Sequence, residues 1–201
     1  MIIQGDNRLV LAGMEAESVN CTVIGMGINS TGYPGAFTPV VERLINNIIG
    51  LHGKHTVLHL FSGRSDIGDE RVDLERQEAT LRENVLAFIS RDKRDWDFVV
   101  LDPPYEIQRK SKLAAYGSVS SVAADVIMRR ALASYLREHA NEVVWLDGCA
   151  PLPAGFARKH LWLLLPGSYH TVRVLSWLTR KPSLFGKLAQ ENVAREQEPM
   201  I

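Results

Sequence analysis

Short apolar runs closed by Gly or Pro alternate along this chain with longer stretches whose apolar residues recur at helical spacing, the pattern of strands and helices around a largely parallel sheet. Thr56-Val57-Leu58-His59-Leu60-Phe61 reads as a strand ending at Ser62-Gly63, and Arg71 to Leu74 as a second. Asp97 to Leu101 is a third, stopped by Pro103 and Pro104, and Glu142 to Asp147 a fourth, ending in Gly148. Thr38 to Ile49 places Val40, Val41, Leu44, Ile45, Ile48 and Ile49 on one face, with Pro39 tolerated in the first turn, and predicts a helix leading into the first strand. Val122 to His139 predicts a crossover helix with Arg129, Arg130 and Arg137 on its wet side. His160 to Leu165 and Val172 to Leu178 sit close together, separated by a short loop that contains the turn residues Pro166-Gly167-Ser168-Tyr169. A parallel return needs a crossover of about a dozen residues or more, so these two must be antiparallel neighbours. The expected class is α/β, a mostly parallel sheet ending in an antiparallel hairpin.

Composition narrows the partners more than the fold. The chain has 201 residues, 46% hydrophobic and 23% charged, the balance of a folded globular domain. One domain is expected over residues 1–186, with 1–33 as an N-terminal strand segment and 187–201 as a polar tail. Lys plus Arg and Asp plus Glu both number 23, so no global field gathers a polyanion and any nucleic acid must be met by a local patch. Cys21 and Cys149 stand far apart without metal-ligand spacing, and Asp66, Asp69, Glu70 and Glu75 read as a solvated acidic loop, so no metal is expected. No secretory leader is read at the N-terminus and no apolar run reaches the roughly 18 residues that cross a membrane, so a cytoplasmic location and no membrane partner are expected.

The most specific chemistry is Asp102-Pro103-Pro104-Tyr105, directly after an apolar strand. Two prolines remove two backbone donors and fix two φ angles, leaving a stiff turn with outward carbonyls. A carboxylate and the Pro103 carbonyl can accept both hydrogens of an exocyclic amino group, while a Tyr stacks on the ring that bears it. The other reading of these four residues is a strand-ending turn with polar neighbours. Upstream, Leu58 to Ser65 is a strand running into a small-residue turn, and Asp73 sets a carboxylate at the next strand's tip, from which ribose hydroxyls are commonly held. No Gly-x-Gly-x-x-Gly and no phosphate-binding Lys-Ser/Thr loop occurs, which favours a nucleoside-like ligand without a large phosphate load.

Phe61-x-Gly63, Asp73 and Asp102-Pro103-Pro104-Tyr105, in that order, resemble the class I S-adenosylmethionine-dependent methyltransferases that modify exocyclic amino groups of nucleobases. Pro34, Phe37 and the helix Val40 to Ile49 before Thr56-Val57-Leu58 are similar to the helix preceding the first strand in these enzymes, and the likeness runs from about residue 34 to 180. The resemblance implies a Rossmann-like fold and S-adenosylmethionine as cofactor. It implies that Phe37 walls the methionine end, that Phe61, Ser62 and Gly63 line the cofactor, that Asp73 binds the ribose, and that Ala79 and Thr80 lie against the adenine. Asp102, Pro103 and Tyr105 would then act on the target base, with Pro104, Arg109, Lys110 and Lys112 on the substrate side. This chain departs from the pattern at His59, where an acid is usual, and at Arg64-Ser65, where a second Gly is usual. A strand His is most often a packed core residue.

The N-terminal segment, Ile2 to Asn7 and Ser18 to Ile24, resembles the opening of a permuted subgroup of DNA amino-methyltransferases, but Gly25-Met26-Gly27-Ile28-Asn29 stands where that subgroup has its Pro-Pro-Tyr turn. The segment is expected to be a strand kept for structure or for closing over the cofactor; a degenerate site at Asn29 and Tyr33 is the alternative. The resemblance implies methylation of N6 of adenine in DNA, with an RNA base (guanine N2 or adenine N6) as the second enzymatic reading. A non-catalytic module binding nucleic acid or a partner is the third. No segment is left for a separate recognition domain, so short loops, a homo-oligomer or a partner subunit would supply target choice.

Overall fold

The structure, a computed structural model, describes residues 20–27, 37–51, 55–104, 125–165 and 172–182. Tyr105, Arg109, Lys110, Lys112, Asn29, Tyr33, Pro34 and the expected 187–201 tail lie outside these residues. In chain order the elements are β1 (Asn20–Gly25), α1 (Pro39–Gly50), β2 (Val57–Leu60), β3 (Glu70–Asp73), β4 (Leu81–Arg82) and α2 (Val85–Arg91). They continue with β5 (Trp96–Leu101), α3 (Val126–His139), β6 (Ala140–Asp147), β7 (Phe156–Leu165) and β8 (Arg173–Arg180).

The strands form one sheet in the order β1-β7-β8-β6-β5-β2-β3-β4. All adjacent pairs are parallel except β6 with β8 and β7 with β8, so β8 alone runs against the others and the expected antiparallel hairpin is β7–β8. The mostly parallel, Rossmann-like α/β sheet is therefore present, with β1 added parallel to β7 at its far edge. Three strands separate that edge from β5, so β1 extends the sheet rather than closing over the carboxyl ends of β2 and β5.

Strand alternation divides the core into two. Leu58, Leu60, Val99, Leu101, Val143 and Trp145 face Val85 and Phe88 of α2 and Leu132, Tyr135 and Leu136 of α3. The intervening residues Val57, Phe98, Val100, Val144 and Leu146 face Val41, Ile45 and Ile48 of α1. Central strands buried on both faces read as continuous apolar runs, which is why β2, β5 and β6 were visible in the sequence. Each fully buried Leu or Val contributes roughly 1.5–3 kcal/mol.

Helix ends follow local chemistry. Thr38 caps α1, its Oγ1 accepting from Val41 N–H at 3.4 Å while Pro39 occupies the first turn. The same hydroxyl donates to the Met26 carbonyl, fastening the chain after β1 to the start of α1. Asp125 caps α3 by accepting from Ile127 and Met128 N–H at 2.9 and 3.0 Å, so this helix starts at Val126; residues 122–124 of the expected helix lie outside the described residues. Two sequence expectations are corrected on the helix faces. Val40 is exposed on α1, and Arg129 of α3 is not on the wet side: it is half-buried and pairs with buried Asp147 at 2.7 Å.

Candidate active site

From β2 the chain progresses to β3 and β4 on one side and to β5 and β6 on the other, so the β2/β5 boundary is the topological switch point of the sheet. Ligands of open α/β sheets bind outside the carboxyl ends of the strands at such a point. Leu60 and Leu101 are register partners, and the residues that follow them are Phe61-Ser62-Gly63 and Asp102-Pro103-Pro104. Two motifs some forty residues apart in the chain thus flank one crevice.

The turn after β2 is forced into an unusual backbone. Phe61 has φ 60° and Gly63 φ 56°, both in the left-handed region. That conformation is free for Gly but costs an aromatic residue on the order of 1–2 kcal/mol, and such strain concentrates at functional sites. Phe61 is held there by packing against the core under α2 and α3, while Ser62 N–H donates to Val72 O at 3.2 Å. Ser62 is buried and its Oγ has no hydrogen-bond partner among the described residues. At the tip of β3, Asp73 Oδ2 accepts from Gly63 N–H at 3.0 Å, and Oδ1 accepts from Glu75 and Arg76 N–H at 3.1 Å each. A carboxylate has about four acceptor positions, so Asp73 organises the turn and keeps capacity for a hydroxyl donor.

His59 lies beneath this turn, fully buried, with its ring stacked on Phe37 at 5.6 Å. Its Nδ1 is 3.1 Å from the Ile67 carbonyl, which can only accept, so Nδ1 carries the proton and Nε2 is a bare acceptor. Burial pushes the imidazole down to about 4, with Arg71 adding to the push and the Ile67 contact opposing it. Nε2 has no partner among the described residues. The packed role expected for a strand His accounts for the ring and for Nδ1.

Asp102 is part-buried as a residue, but its Oδ1 is sealed from solvent without a hydrogen-bond partner among the described residues. Desolvation pushes its carboxyl up to about 7; Arg173 opposes the shift and Asp147 adds to it. Pro103, next in the chain, is buried and donates nothing. Asp147 ends β6, 1% exposed, and accepts from Arg129 at 2.7 Å and from Gly148 N–H at 2.6 Å. Arg173 begins β8, which enters the sheet at this same edge because it runs antiparallel. Sequence reading missed Asp147, Arg129 and Arg173 as neighbours of Asp102; no local signal joins residues on three elements, although the antiparallel direction of β8 could have placed Arg173 here.

The structure thus gathers Phe61, Ser62, Gly63, Asp73, Asp102, Pro103 and Pro104 at one edge, with Phe37 beside His59. Ala79 and Thr80 stand just before β4. The Thr80 hydroxyl accepts from Arg71 N–H at 2.7 Å and donates to Glu70 at 2.8 Å, so it clamps β3 to the strand beside it. The acidic residues near this turn are structural ties as well: Asp69 accepts from Val57 N–H at 2.9 Å and Glu70 pairs with Arg94 at 2.9 Å.

No family model and no curated protein matches the sequence. Among solved structures, the chain is similar to a candidate RNA methyltransferase from Pyrococcus horikoshii, at 15% identity over 79% of this chain and 92% of that one, with a TM-score of 0.43. It is also similar to a candidate methyltransferase from Escherichia coli, at 13% identity over 75% and 91% of the two chains and a TM-score of 0.46. A Thermoplasma acidophilum protein without a functional name is matched at 12% identity over 79% and 94%, with a TM-score of 0.47.

Proposed function

We propose that this chain binds S-adenosylmethionine at the β2/β5 switch point and methylates an exocyclic amino group of a nucleobase, N6 of adenine in DNA being the first reading. The observation that carries the proposal is Asp102: a buried carboxyl oxygen without a partner among the described residues, fixed by a Pro-Pro turn, beside a strained left-handed turn at the crevice where this topology favours a ligand. A buried polar atom without a partner costs about 1–3 kcal/mol, and a bound amino group would satisfy this one.

The residues present fit the cofactor. Gly63 has no Cβ to hold a ligand off the backbone, Ser62 Oγ is a buried polar atom at the turn without a partner among the described residues, and Asp73 keeps acceptor capacity for a ribose hydroxyl. Phe37, over His59, offers an apolar wall. When bound, S-adenosylmethionine supplies an electrophilic methyl group on a sulfonium. The chain's own contribution is positioning: Asp102 and the Pro103 carbonyl accept the two amino hydrogens and fix the direction of the nitrogen lone pair. Asp102 accepts best when ionised, so with a carboxyl near 7 the site gains its full acceptor capacity above neutral pH. A base inside a duplex is out of reach of such a turn, and the target would have to be flipped out of its stack.

The test is incubation of the full chain with methyl-labelled cofactor and either DNA or RNA, followed by mass spectrometry of the nucleosides. Label on N6-methyldeoxyadenosine is the expected result. Label on guanine N2 or adenine N6 of RNA alone would replace DNA by RNA as substrate. Label in neither would reject methyl transfer in favour of a binding module.

A further inference from the structure

The carboxyl ends of β5 and β6 bring two acids close together. Leu101, the last residue of β5, pairs with Trp145, so Asp102 falls level with Leu146 and the next residue of that strand is Asp147. At ordinary strand spacing and rise, the two backbones are about 6 Å apart at these positions. Asp147 is only 1% exposed, as deep as the apolar core around it. Its Oδ2 accepts from Arg129 at 2.7 Å and its Oδ1 from Gly148 N–H at 2.6 Å. A carboxylate taken this far from water persists only with its charge matched and its lone pairs occupied. Arg129 supplies the charge from the first turn of α3, and its guanidinium also lies over the Trp145 ring at 5.9 Å. The pair thus fastens the start of α3 to the end of β6, beside Asp102.

Desolvation does most to hold the proton on Asp102; Arg173 of β8 opposes it and Asp147 adds to it. The titratable groups on the other elements around the crevice act elsewhere. His59 of β2 is neutral above about 4, set by its burial, the Ile67 carbonyl and Arg71. Glu42 of α1 is raised by burial and by Asp66, in the loop after β2. Asp73 at the tip of β3 accepts from the N–H groups of its own turn. Cys149, just past β6, touches both members of the pair, and burial and Asp147 push its thiol up, so it adds no charge near neutrality. Among the described residues, Asp147 is therefore the acid that works against ionisation of Asp102, and Arg129 is the cation that masks it.

An ion pair with only a structural role gives the same result whichever partner is removed. Here the partners have opposite charges and stand next to a third ionisable group, so their removal acts on that group in opposite directions. Without Asp147, Asp102 loses a repelling charge and keeps a cation nearby. Without Arg129, Asp147 is left bare, and the two acids hold their last shared proton to higher pH as a coupled pair.

We propose that the Arg129–Asp147 pair governs the charge of Asp102: Arg129 masks Asp147, and Asp102 can then present its own negative charge to the amino group of the substrate. The proposal rests on the functional reading above. Both residues act through Asp102 and are positioning residues.

The experiment labels the aspartate carboxyls of the full chain with carbon-13 and follows the Asp102 resonance, identified by its loss in Asp102→Asn, against pH. The acid limb of methyl transfer is measured on the same proteins. Asp147→Asn should move both midpoints down by about one pH unit, and Arg129→Gln should move them up by about as much. The double variant should lie between the two, close to the unmodified chain. A purely structural pair would lower stability in both single variants without moving the midpoints apart. Asp147→Asn keeps the shape of the side chain and an oxygen for Arg129, so it decides the matter even where Arg129→Gln does not fold. Midpoints that move in the same direction in the two variants, or an Asp102 midpoint unmoved in Asp147→Asn, would overturn the proposal. Transfer by the unmodified chain with unmoved carboxyl midpoints removes only the role of the pair. Separated midpoints in a chain that transfers no methyl group remove the functional reading and leave the electrostatic coupling standing.

Discussion

Two desolvated side chains of the crevice, Asp102 and His59, shift stability with pH in opposite senses. Asp102 keeps its proton in the folded state up to about 7, while the unfolded chain releases it near 4. Across that window the folded state binds more protons, so Asp102 makes stability fall as pH rises. Asp102→Asn is therefore expected to raise the thermal midpoint at pH 8 by roughly 2–6 °C more than at pH 5; an equal shift at both would contradict a desolvated carboxyl at this position. In the active protein the same titration should give methyl transfer an acid limb near 7. His59 is the reverse. Its folded state stays neutral down to about 4, whereas the unfolded imidazole takes up a proton near 6.5, so stability is lost as pH falls between these values. His59→Asn, which keeps an N–H for the Ile67 carbonyl, should show a flatter loss of midpoint between pH 6.5 and 4. An unchanged slope would mean that the imidazole is not the group being protonated.

At the scale of elements, the crevice depends on how strands end and helices begin. The Thr38 hydroxyl caps α1 and also holds the Met26 carbonyl, so Thr38→Ala removes a cap and strands a carbonyl at once. A loss of about 1–2 kcal/mol, seen as a lower urea midpoint with an unchanged slope, is expected, and Thr38→Ser should restore most of it. The elements legible in the sequence were those whose burial writes a continuous apolar run or a helical stripe: β2, β5, β6, α1 and most of α3. β4, two residues long, and α2, seven residues long, are too short to show a period and are held by partners elsewhere in the chain. The start of β7 was missed because Arg158 and Lys159 interrupt the apolar pattern where the register shifts. Arg129 was set on the wet side because its partner, Asp147, lies eighteen residues onward on another element.

For the whole molecule, the candidate site was legible to the extent that it is written as motifs. Phe61-Ser62-Gly63, Asp73 and Asp102-Pro103 could be named from the sequence because each sits at the end of a recognisable strand, and the strand order makes them neighbours. The electrostatic setting of Asp102 was not legible, because Asp147 and Arg173 reach it only through the pairing of β6 with β5 and β8. The central claim is that the switch point holds S-adenosylmethionine and that Asp102 acts on the second substrate. It is tested most directly by measuring cofactor affinity and methyl transfer side by side in the unmodified chain and in Asp102→Ala. Retained cofactor binding in both, with transfer reduced about a hundredfold or more in Asp102→Ala, is the expected result. No cofactor binding by the unmodified chain, or undiminished transfer by Asp102→Ala, would contradict it.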